Sequence, residues 1–195
     1  MREFTPAQAD RHNALVRKGW ALVEGRLILQ GKEPKGPPSW FSRLQLNRAI
    51  WCFDKALTIN PEGWSSMWAL GKIYQRLGDQ ESALRWLLRA HTIHPDQLDV
   101  AREASLAALD LGRREQALKL CEHAVKLMPQ DPGLVCNLAL AHCLAGNDGE
   151  AIRHVNEAAL RDPSDPVTAI VKHFITQVAA GELKRPKDLR EVFPY

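Results

Sequence analysis

The stretch that decides the fold is residues 64–97, WSSMWALGKIYQRLGDQESALRWLLRAHTIHPDQ. Four of its small or helix-breaking positions recur along the chain at a spacing of 34 residues. A fixed period of a few tens of residues is typical of stacked supersecondary units. The chain is therefore predicted to be an array of similar units, aligned by these sets: Gly78, Gly112 and Gly146; Ala49, Ala83, Ala117 and Ala151; Ala56, Ala90, Ala124 and Ala158; Pro61, Pro95, Pro129 and Pro163.

Each unit is predicted to be a pair of helices. In residues 64–97 the first helix is predicted to end at Leu77, and the second to run from about Gln80 to Ile93. Glycine at the intervening turn suits the left-handed conformation that ends many helices. Proline after the second helix prevents its continuation and starts the next unit. The same pattern fits residues 98–131 and 132–165, so the fold class is all-α.

The first unit is interrupted. Thr5, Pro6 and Gln8 form a helix-start signal, and the helix they begin is predicted to reach about Gln30. A run rich in glycine and proline then breaks the pattern, and Ser39 is predicted to cap the next helix. We therefore expect a unit at about 14–63 with an insertion at about 31–43.

The C-terminal region departs from the repeat. Residues 166–180 are predicted to form one more amphipathic helix, without a partner helix in sequence. A terminal helix of this kind covers the apolar face that the last unit of an array would otherwise expose. Residues 182–195 follow as a charged tail that ends in apolar residues.

Composition narrows the function classes. The chain has 195 residues, 45% of them hydrophobic, and no continuous apolar run long enough to cross a membrane. Its N-terminal residues lack a secretory signal pattern, so we expect a cytoplasmic location. Residues 1–60 carry ten Lys/Arg against five Asp/Glu, whereas residues 61–180 carry twelve against fifteen. Because the repeats are mildly acidic, no nucleic-acid partner is expected, and no membrane partner either.

The sequence contains none of the common catalytic or cofactor-binding motifs that we searched for. No glycine-rich phosphate loop, HExxH, GxSxG or paired CxxC is found, so no enzyme, catalytic residue or cofactor is expected. The four cysteines are scattered, which is typical of small buried hydrophobes. His91 and His94 lack a third ligand, so no metal site is predicted. His142 and Cys143 are adjacent on a helix and point about 100° apart, which excludes a catalytic dyad.

These repeated positions resemble the tetratricopeptide repeat (TPR) family. In residues 64–97 the matching positions include Leu70, Gly71, Tyr74, Gly78, Ala83, Leu87, Ala90 and Pro95. His142 stands where the family usually has tyrosine. The resemblance implies a right-handed α-solenoid of about four helix–turn–helix units plus a capping helix, in one domain covering residues 1–181. It also implies a scaffold or adaptor that binds a protein or peptide partner in a concave groove.

The resemblance further implies which residues line that groove. Placing the family's inward positions on this sequence selects Trp68, Lys72, Gln75, Arg76, Arg102, Leu106, Leu109, Asn137 and Leu140. Tryptophan and arginine are the residues that most often anchor interfaces. A second candidate site is the insertion with the residues that follow it, namely Lys32, Lys35, Trp40 and Phe41, because long loops inside compact arrays are often functional.

Three alternatives stay open. The chain could be a dedicated bacterial chaperone or inhibitor for one client, similar to type III secretion chaperones or toxin-neutralising repeat proteins. RNA binding is disfavoured by the acidic repeats. Self-association, as a homodimer, could use Phe174, Val192 and Phe193.

Overall fold

A computed structural model describes residues 4–27 and 36–192, and within these ranges the regular structure is helical throughout. The α-helices of this part of the chain are α1 (Pro6–Val23), α2 (Trp40–Ile59), α3 (Trp64–Leu77), α4 (Gln80–Ile93), α5 (Leu98–Asp110), α6 (Arg114–Leu127), α7 (Pro132–Ala145), α8 (Asp148–Arg161) and α9 (Pro166–Ala179), followed by a short 3-10 helix (Leu189–Glu191).

The chain divides into two compact units, Met1–Pro95 and Asp96–Tyr195. In the first unit α1 packs on α2, α2 on α3, and α3 on α4. In the second unit the helices pack in the order α5 to α9, with further contacts between α5 and α7 and between α7 and α9. Contacts between alternate helices are what stacked helix pairs require, because each pair buries one face against the next.

The predicted helix ends of the regular repeats are confirmed. Gly78 and Gly146 cap α3 and α7 with φ of 85° and 88°, the left-handed conformation that glycine adopts without steric cost. α3 ends at Leu77 and α4 spans Gln80–Ile93, as the pattern predicts. Thr5 forms the predicted capping box with Gln8, and Ser39 caps α2.

The first helix is shorter than predicted. α1 ends at Val23 instead of about Gln30, because the chain turns at Gly25, where φ is +65°. Only glycine reaches this backbone region readily, so the residue that weakens the helix pattern in fact ends it. The other boundary of the insertion also moves. Residues 40–43 form the first turn of α2, whereas residues 28–35 lie outside the described part of the chain.

The core of the first unit depends on close contacts at two glycines. A Cβ added at Gly19 would lie 2.7 Å from the ring of Phe53, and one added at Gly71 would lie 2.6 Å from Leu87. Phe53 and Leu87 are fully buried. The Phe53 ring also meets Trp20 edge-on, with ring centroids 5.6 Å apart. The absent side chains at these glycines therefore make room for large side chains from the neighbouring helix.

The second unit is centred on α7. Ten of its residues are buried, on all sides of the helix, as expected for a helix packed against α5, α6, α8 and α9. All four cysteines of the chain are buried and free, as predicted. Burial raises the pKa of the Cys121 thiol to about 12 and that of Cys136 to about 11. They therefore stay protonated at neutral pH and act as small apolar side chains.

The C-terminal tail folds back over the second unit. Arg185 donates from Nη1 to the Cys143 carbonyl at 2.6 Å and forms two bonds to the Asp148 carboxylate at 2.7 and 2.9 Å. Farther along, the Lys187 carbonyl lies against Gly112, and Leu189 is 7% exposed. The tail thus runs from α9 past the α7–α8 turn to the α5–α6 turn.

The cap of α9 supports a first prediction. The Asp165 carboxylate accepts bonds from the backbone N–H groups of Val167 and Thr168, and from the Thr168 hydroxyl at 2.6 Å. The bonds from Thr168 lower the pKa of Asp165. Asp165→Ala is expected to cost about 1 kcal/mol of unfolding free energy, whereas Asp165→Asn keeps an acceptor and costs less.

The pH dependence of this cap has a defined sign. A carboxyl whose pKa is lowered on folding stabilises the protein above its unfolded pKa, and this contribution is lost as pH falls through the lowered value. Thermal melts at neutral pH and near pH 3 should therefore differ more for the wild type than for Asp165→Asn. An equal pH response in the two proteins would contradict this account of the cap.

Candidate functional site

In the first unit, the predicted groove residues of α3 contact neighbouring parts of the same unit. The Trp68 ring lies 5.9 Å from Trp20 at an angle of 37°, and it is partly buried. Its Nε1 atom is buried and finds no acceptor among the residues that the structure describes. Lys72 is 3% exposed and Gln75 is partly exposed. This face therefore has little freely accessible charge.

Arg76 is engaged with the backbone that flanks the insertion. Its Nε donates to the Arg26 carbonyl at 3.1 Å, and its Nη1 donates to the Gly36 carbonyl at 2.7 Å. The guanidinium thus joins the two described ends of the segment between α1 and α2. A partner carboxylate would have to compete with these two hydrogen bonds to bind Arg76.

In the second unit the predicted residues fall into two groups. Leu109 and Leu140 are buried, at 0% and 4% exposure, and contribute to packing. Arg102, Leu106 and Asn137 are partly exposed. The Arg102 guanidinium pairs with Asp99 at 2.6 Å on the same helix. Such partly solvated pairs contribute little to stability, so a partner carboxylate could replace Asp99 at small cost.

The second candidate site is more open than the groove positions. Trp40 is 78% exposed and Phe41 is 48% exposed, with their ring centroids 6.0 Å apart and nearly perpendicular. Lys32 and Lys35 lie outside the described residues. Most tryptophans in folded proteins bury the bulk of their ring, so an indole this exposed calls for a functional explanation.

These aromatics belong to a longer surface that we call the aromatic stripe. It runs along one side of α2: from Trp40, members follow at steps of three to four residues, and Phe41 lies beside Trp40 at the start of the helix. Leu44 and Trp51 are 46% and 55% exposed, and the cations of the stripe, Arg48 and Lys55, are exposed as well. The stripe comprises Trp40, Phe41, Leu44, Arg48, Trp51 and Lys55.

A shallow cleft lies at one end of the aromatic stripe. It measures about 190 Å³ and lies between α1 and α2, lined by Arg11, Leu15, Trp51, Lys55, Thr58 and Ile59. Neither Trp51 nor Leu44 was among the residues predicted from the sequence to form a site. The sequence signal that could have revealed this surface is the helical spacing of Trp40, Leu44 and Trp51. These residues give α2 a second apolar face, opposite the face that carries Ala49 and Ala56.

A cluster of possible metal donors in the second unit was also missed. One donor atom each of His142, Glu150 and His154 lies within 4.8 Å of the others. The two imidazoles stack, with centroids 5.3 Å apart and planes 12° apart. Burial, followed by the proximity of His154, lowers the pKa of His142. In the sequence only Cys143 adjoins His142, whereas Glu150 and His154 come from the next helix.

Comparison with known proteins agrees with this architecture. Family models described as tetratricopeptide repeat match residues 65–97 and 108–169. A solved structure of MamA from Desulfovibrio magneticus RS-1 is 15% identical, with a TM-score of 0.71, covering 88% of this chain and 90% of that one. PilF of Pseudomonas aeruginosa is 16% identical, with a TM-score of 0.63, covering 90% of this chain and 74% of that one.

One curated protein is similar in sequence. The 131 kDa subunit of transcription factor tau from Saccharomyces cerevisiae is 23% identical over 118 residues, or 60% of this chain. The matched region is 11% of that protein, so the chain spans only a small part of its length.

The helix pairs, the glycine turns and the two matching family models agree with one another. In the described ranges, 4–27 and 36–192, we find no helix long and apolar enough to span a membrane. The fold class predicted from the sequence, an all-α helical-repeat solenoid, is confirmed. TPR folds are typically non-catalytic scaffolds for protein–protein interaction. The chain therefore contains tetratricopeptide repeats, which the family models match at residues 65–97 and 108–169.

Proposed function

We propose that this chain is a scaffold that holds an acidic segment of a protein partner, and that the aromatic stripe is a principal contact surface. The single observation that carries the proposal is the exposure of Trp40, Phe41, Leu44 and Trp51 on one face of α2. Contiguous exposed apolar surface is uncommon on a monomeric protein and marks interaction sites.

The chemistry of the stripe supports a particular kind of partner segment. Two tryptophans supply the large, rigid apolar area that binding hot spots use. Arg48 and Lys55 lie on the same face, and residues 1–60 carry twice as many basic as acidic side chains. A segment with apolar residues at helical spacing, flanked by Asp or Glu, would complement both properties.

Under the same proposal, the groove positions of each unit supply further contacts to the partner. In the first unit Trp68 is the predicted aromatic that keeps partial exposure of its ring, while its Nε1 is buried. In the second unit, Arg102, Leu106 and Asn137 are the predicted residues that keep partial exposure. A chaperone or inhibitor dedicated to one client, acting as a cytoplasmic protein, is the narrower version of this function.

Affinity capture from the native source, with quantitative mass spectrometry, tests the proposal. The stripe variant is Trp40→Ser combined with Trp51→Ser. Because each hot-spot tryptophan contributes about 2 kcal/mol or more, partner recovery should fall by more than about 30-fold. The matched control is Leu160→Ser, which alters a side chain that is 82% exposed on α8 and should leave recovery unchanged.

The remaining outcomes separate the alternatives. Equal recovery by the stripe variant and the wild type would overturn the role of the stripe. Loss of the same partner in Trp68→Ala with Arg102→Ala, but not in the stripe variant, would assign binding to the groove positions. One client at fixed stoichiometry would indicate a dedicated chaperone or inhibitor, and several clients a general scaffold. Light scattering that shows a dimer in the wild type and a monomer in the stripe variant would instead indicate a second copy on the stripe.

A further inference from the structure

The fourth repeat carries a set of side chains that the other repeats lack. The positions of His142, Glu150 and His154 are occupied by Ala108, Gln116 and Leu120 one period earlier, and by Tyr74, Ser82 and Trp86 two periods earlier. The fold places these positions together in every repeat, across the turn that joins the two helices. Only in the fourth repeat of this aligned set do all three positions carry metal-binding side chains.

We propose that His142, Glu150 and His154 bind a divalent transition-metal ion of the zinc class. Two imidazoles and one carboxylate are a donor set that Zn²⁺ uses in proteins, with a fourth position left for water or for a donor from another molecule. Hard ions such as Mg²⁺ and Ca²⁺ prefer oxygen donors throughout. The site would join α7 to α8 by coordination as well as by packing.

The geometry fits this coordination after small movements. Metal–donor distances of about 2.0–2.2 Å place the donors of one tetrahedral ion about 3.3–3.5 Å apart. His154 Nε2 already lies 3.7 Å from Glu150 Oε2, and all three donors lie within 4.8 Å. The Glu150 side chain is 51% exposed, so it is free to rotate toward the two rings.

The surroundings of the cluster also fit a metal site. His154 Nδ1 lies 3.4 Å from Glu157 Oε2. The exposed Asn147 amide lies 3.4 Å from His142 Nδ1 through Nδ2, and turning the amide by 180° would present its oxygen as the acceptor for the ring N–H. Outer partners of this kind orient metal-binding histidines by holding the ring nitrogen that does not bind the ion. His154 Nδ1 is buried and makes no aligned hydrogen bond in the described structure, so a slight ring rotation would complete this contact.

One side chain opposes the metal ion. The Arg153 guanidinium donates to Glu150 Oε2 at 2.5 and 3.0 Å, and it lies 2.8 Å from His154 Nε2. A divalent cation at this place must displace it, because two cations cannot share the same donors. Arg153 is 58% exposed and can move into solvent, so it lowers the affinity without closing the site.

Zinc titration of the full chain, after removal of metals with a chelator, tests the site. Isothermal titration calorimetry should show one saturable Zn²⁺ per chain. At about one hundred times the Kd, Zn²⁺ should raise Tm by about 5–10 °C. His154→Gln and Glu150→Gln should each weaken the binding by more than about 100-fold, because removing only an outer partner costs about 10–100-fold.

Two further variants separate a built site from weak surface binding. Arg153→Gln should bind Zn²⁺ more tightly than the wild type, since it removes the competing cation. His173→Gln, at an exposed histidine on α9, should bind as the wild type does. Circular dichroism confirms that each variant is folded. Absence of saturable Zn²⁺ binding, or equal binding by the wild type and His154→Gln, would overturn the proposal.

Discussion

Phe53→Ala is expected to lower the unfolding free energy of the first unit by about 3–5 kcal/mol. Phe53 is fully buried, and its ring fills the space above Gly19 and meets Trp20 edge-on. Removing the ring loses its transfer free energy and leaves a cavity that the rigid helix pair α1–α2 closes only in part. Phe41→Ala is the matched control, because this phenylalanine on the same helix is 48% exposed; it should change stability by no more than about 0.5 kcal/mol.

A second substitution makes this prediction specific to the contact. Gly19→Ala alone should destabilise the unit by about 1–3 kcal/mol, since its Cβ would lie 2.7 Å from the Phe53 ring. In the Phe53→Ala background the same change should be neutral or stabilising, because the Cβ then enters the cavity and alanine favours the helix. Urea unfolding with hydrogen exchange measured in α1 to α3 reports both effects. Additive losses in the double variant would show that the two residues do not share this space.

Gly112→Ala is the second large effect that we expect. Gly112 has φ of +61°, where a side chain costs about 1–2 kcal/mol. The new Cβ would also overlap the Lys187 carbonyl, a backbone atom that cannot rotate away. The tail should therefore detach from the α5–α6 turn, adding the loss of the packing of Leu189 to the cost of the backbone conformation.

Gly146→Ala isolates the contribution of the tail. Gly146 has φ of +88° at the equivalent turn of the next repeat, but a Cβ there would meet nothing within 4 Å. Both variants should lose the stability that a side chain at positive φ costs. Only Gly112→Ala should also expose residues 182–192 to limited proteolysis and fast hydrogen exchange. Equal protection of the tail in both variants would contradict the contact between Lys187 and Gly112.

The regular part of the fold could be predicted because its signals are local and repeated. There is a short-range physical reason for glycine at the turn, alanine where helices approach closely and proline at the end of a unit. The 34-residue spacing repeats these signals in several units, which strengthens the prediction. The bounds of α3 and α4 follow directly from those residues. The end of α1 did not, because Gly25 occurs once and could equally have been tolerated inside a longer helix.

The candidate sites were harder to predict because they depend on contacts between elements. Arg76 was assigned to a partner, yet its guanidinium binds carbonyls on both sides of the insertion, an interaction over 50 and 40 residues of sequence. Leu109 and Leu140 occupy family groove positions, but the helices around them bury both. Trp40 and Phe41 were predicted as site residues because they follow a long loop, whereas their exposure follows only from the position of α2 in the fold. Whether the groove positions or the aromatic stripe contact a partner remains a prediction.

The returning tail changes how the second unit can unfold. In a simple repeat array each unit contacts only its neighbours, so the last helix can fray without disturbing the others. Arg185 bonds to a carbonyl 42 residues earlier, and Lys187 reaches still farther back, to the α5–α6 turn. Opening α9 therefore requires these contacts to break as well, which links the terminal helix to the middle of the chain in one cooperative step. Hydrogen exchange in α9 should consequently be as slow as in α7. A terminal helix that the tail did not hold would exchange faster than α7.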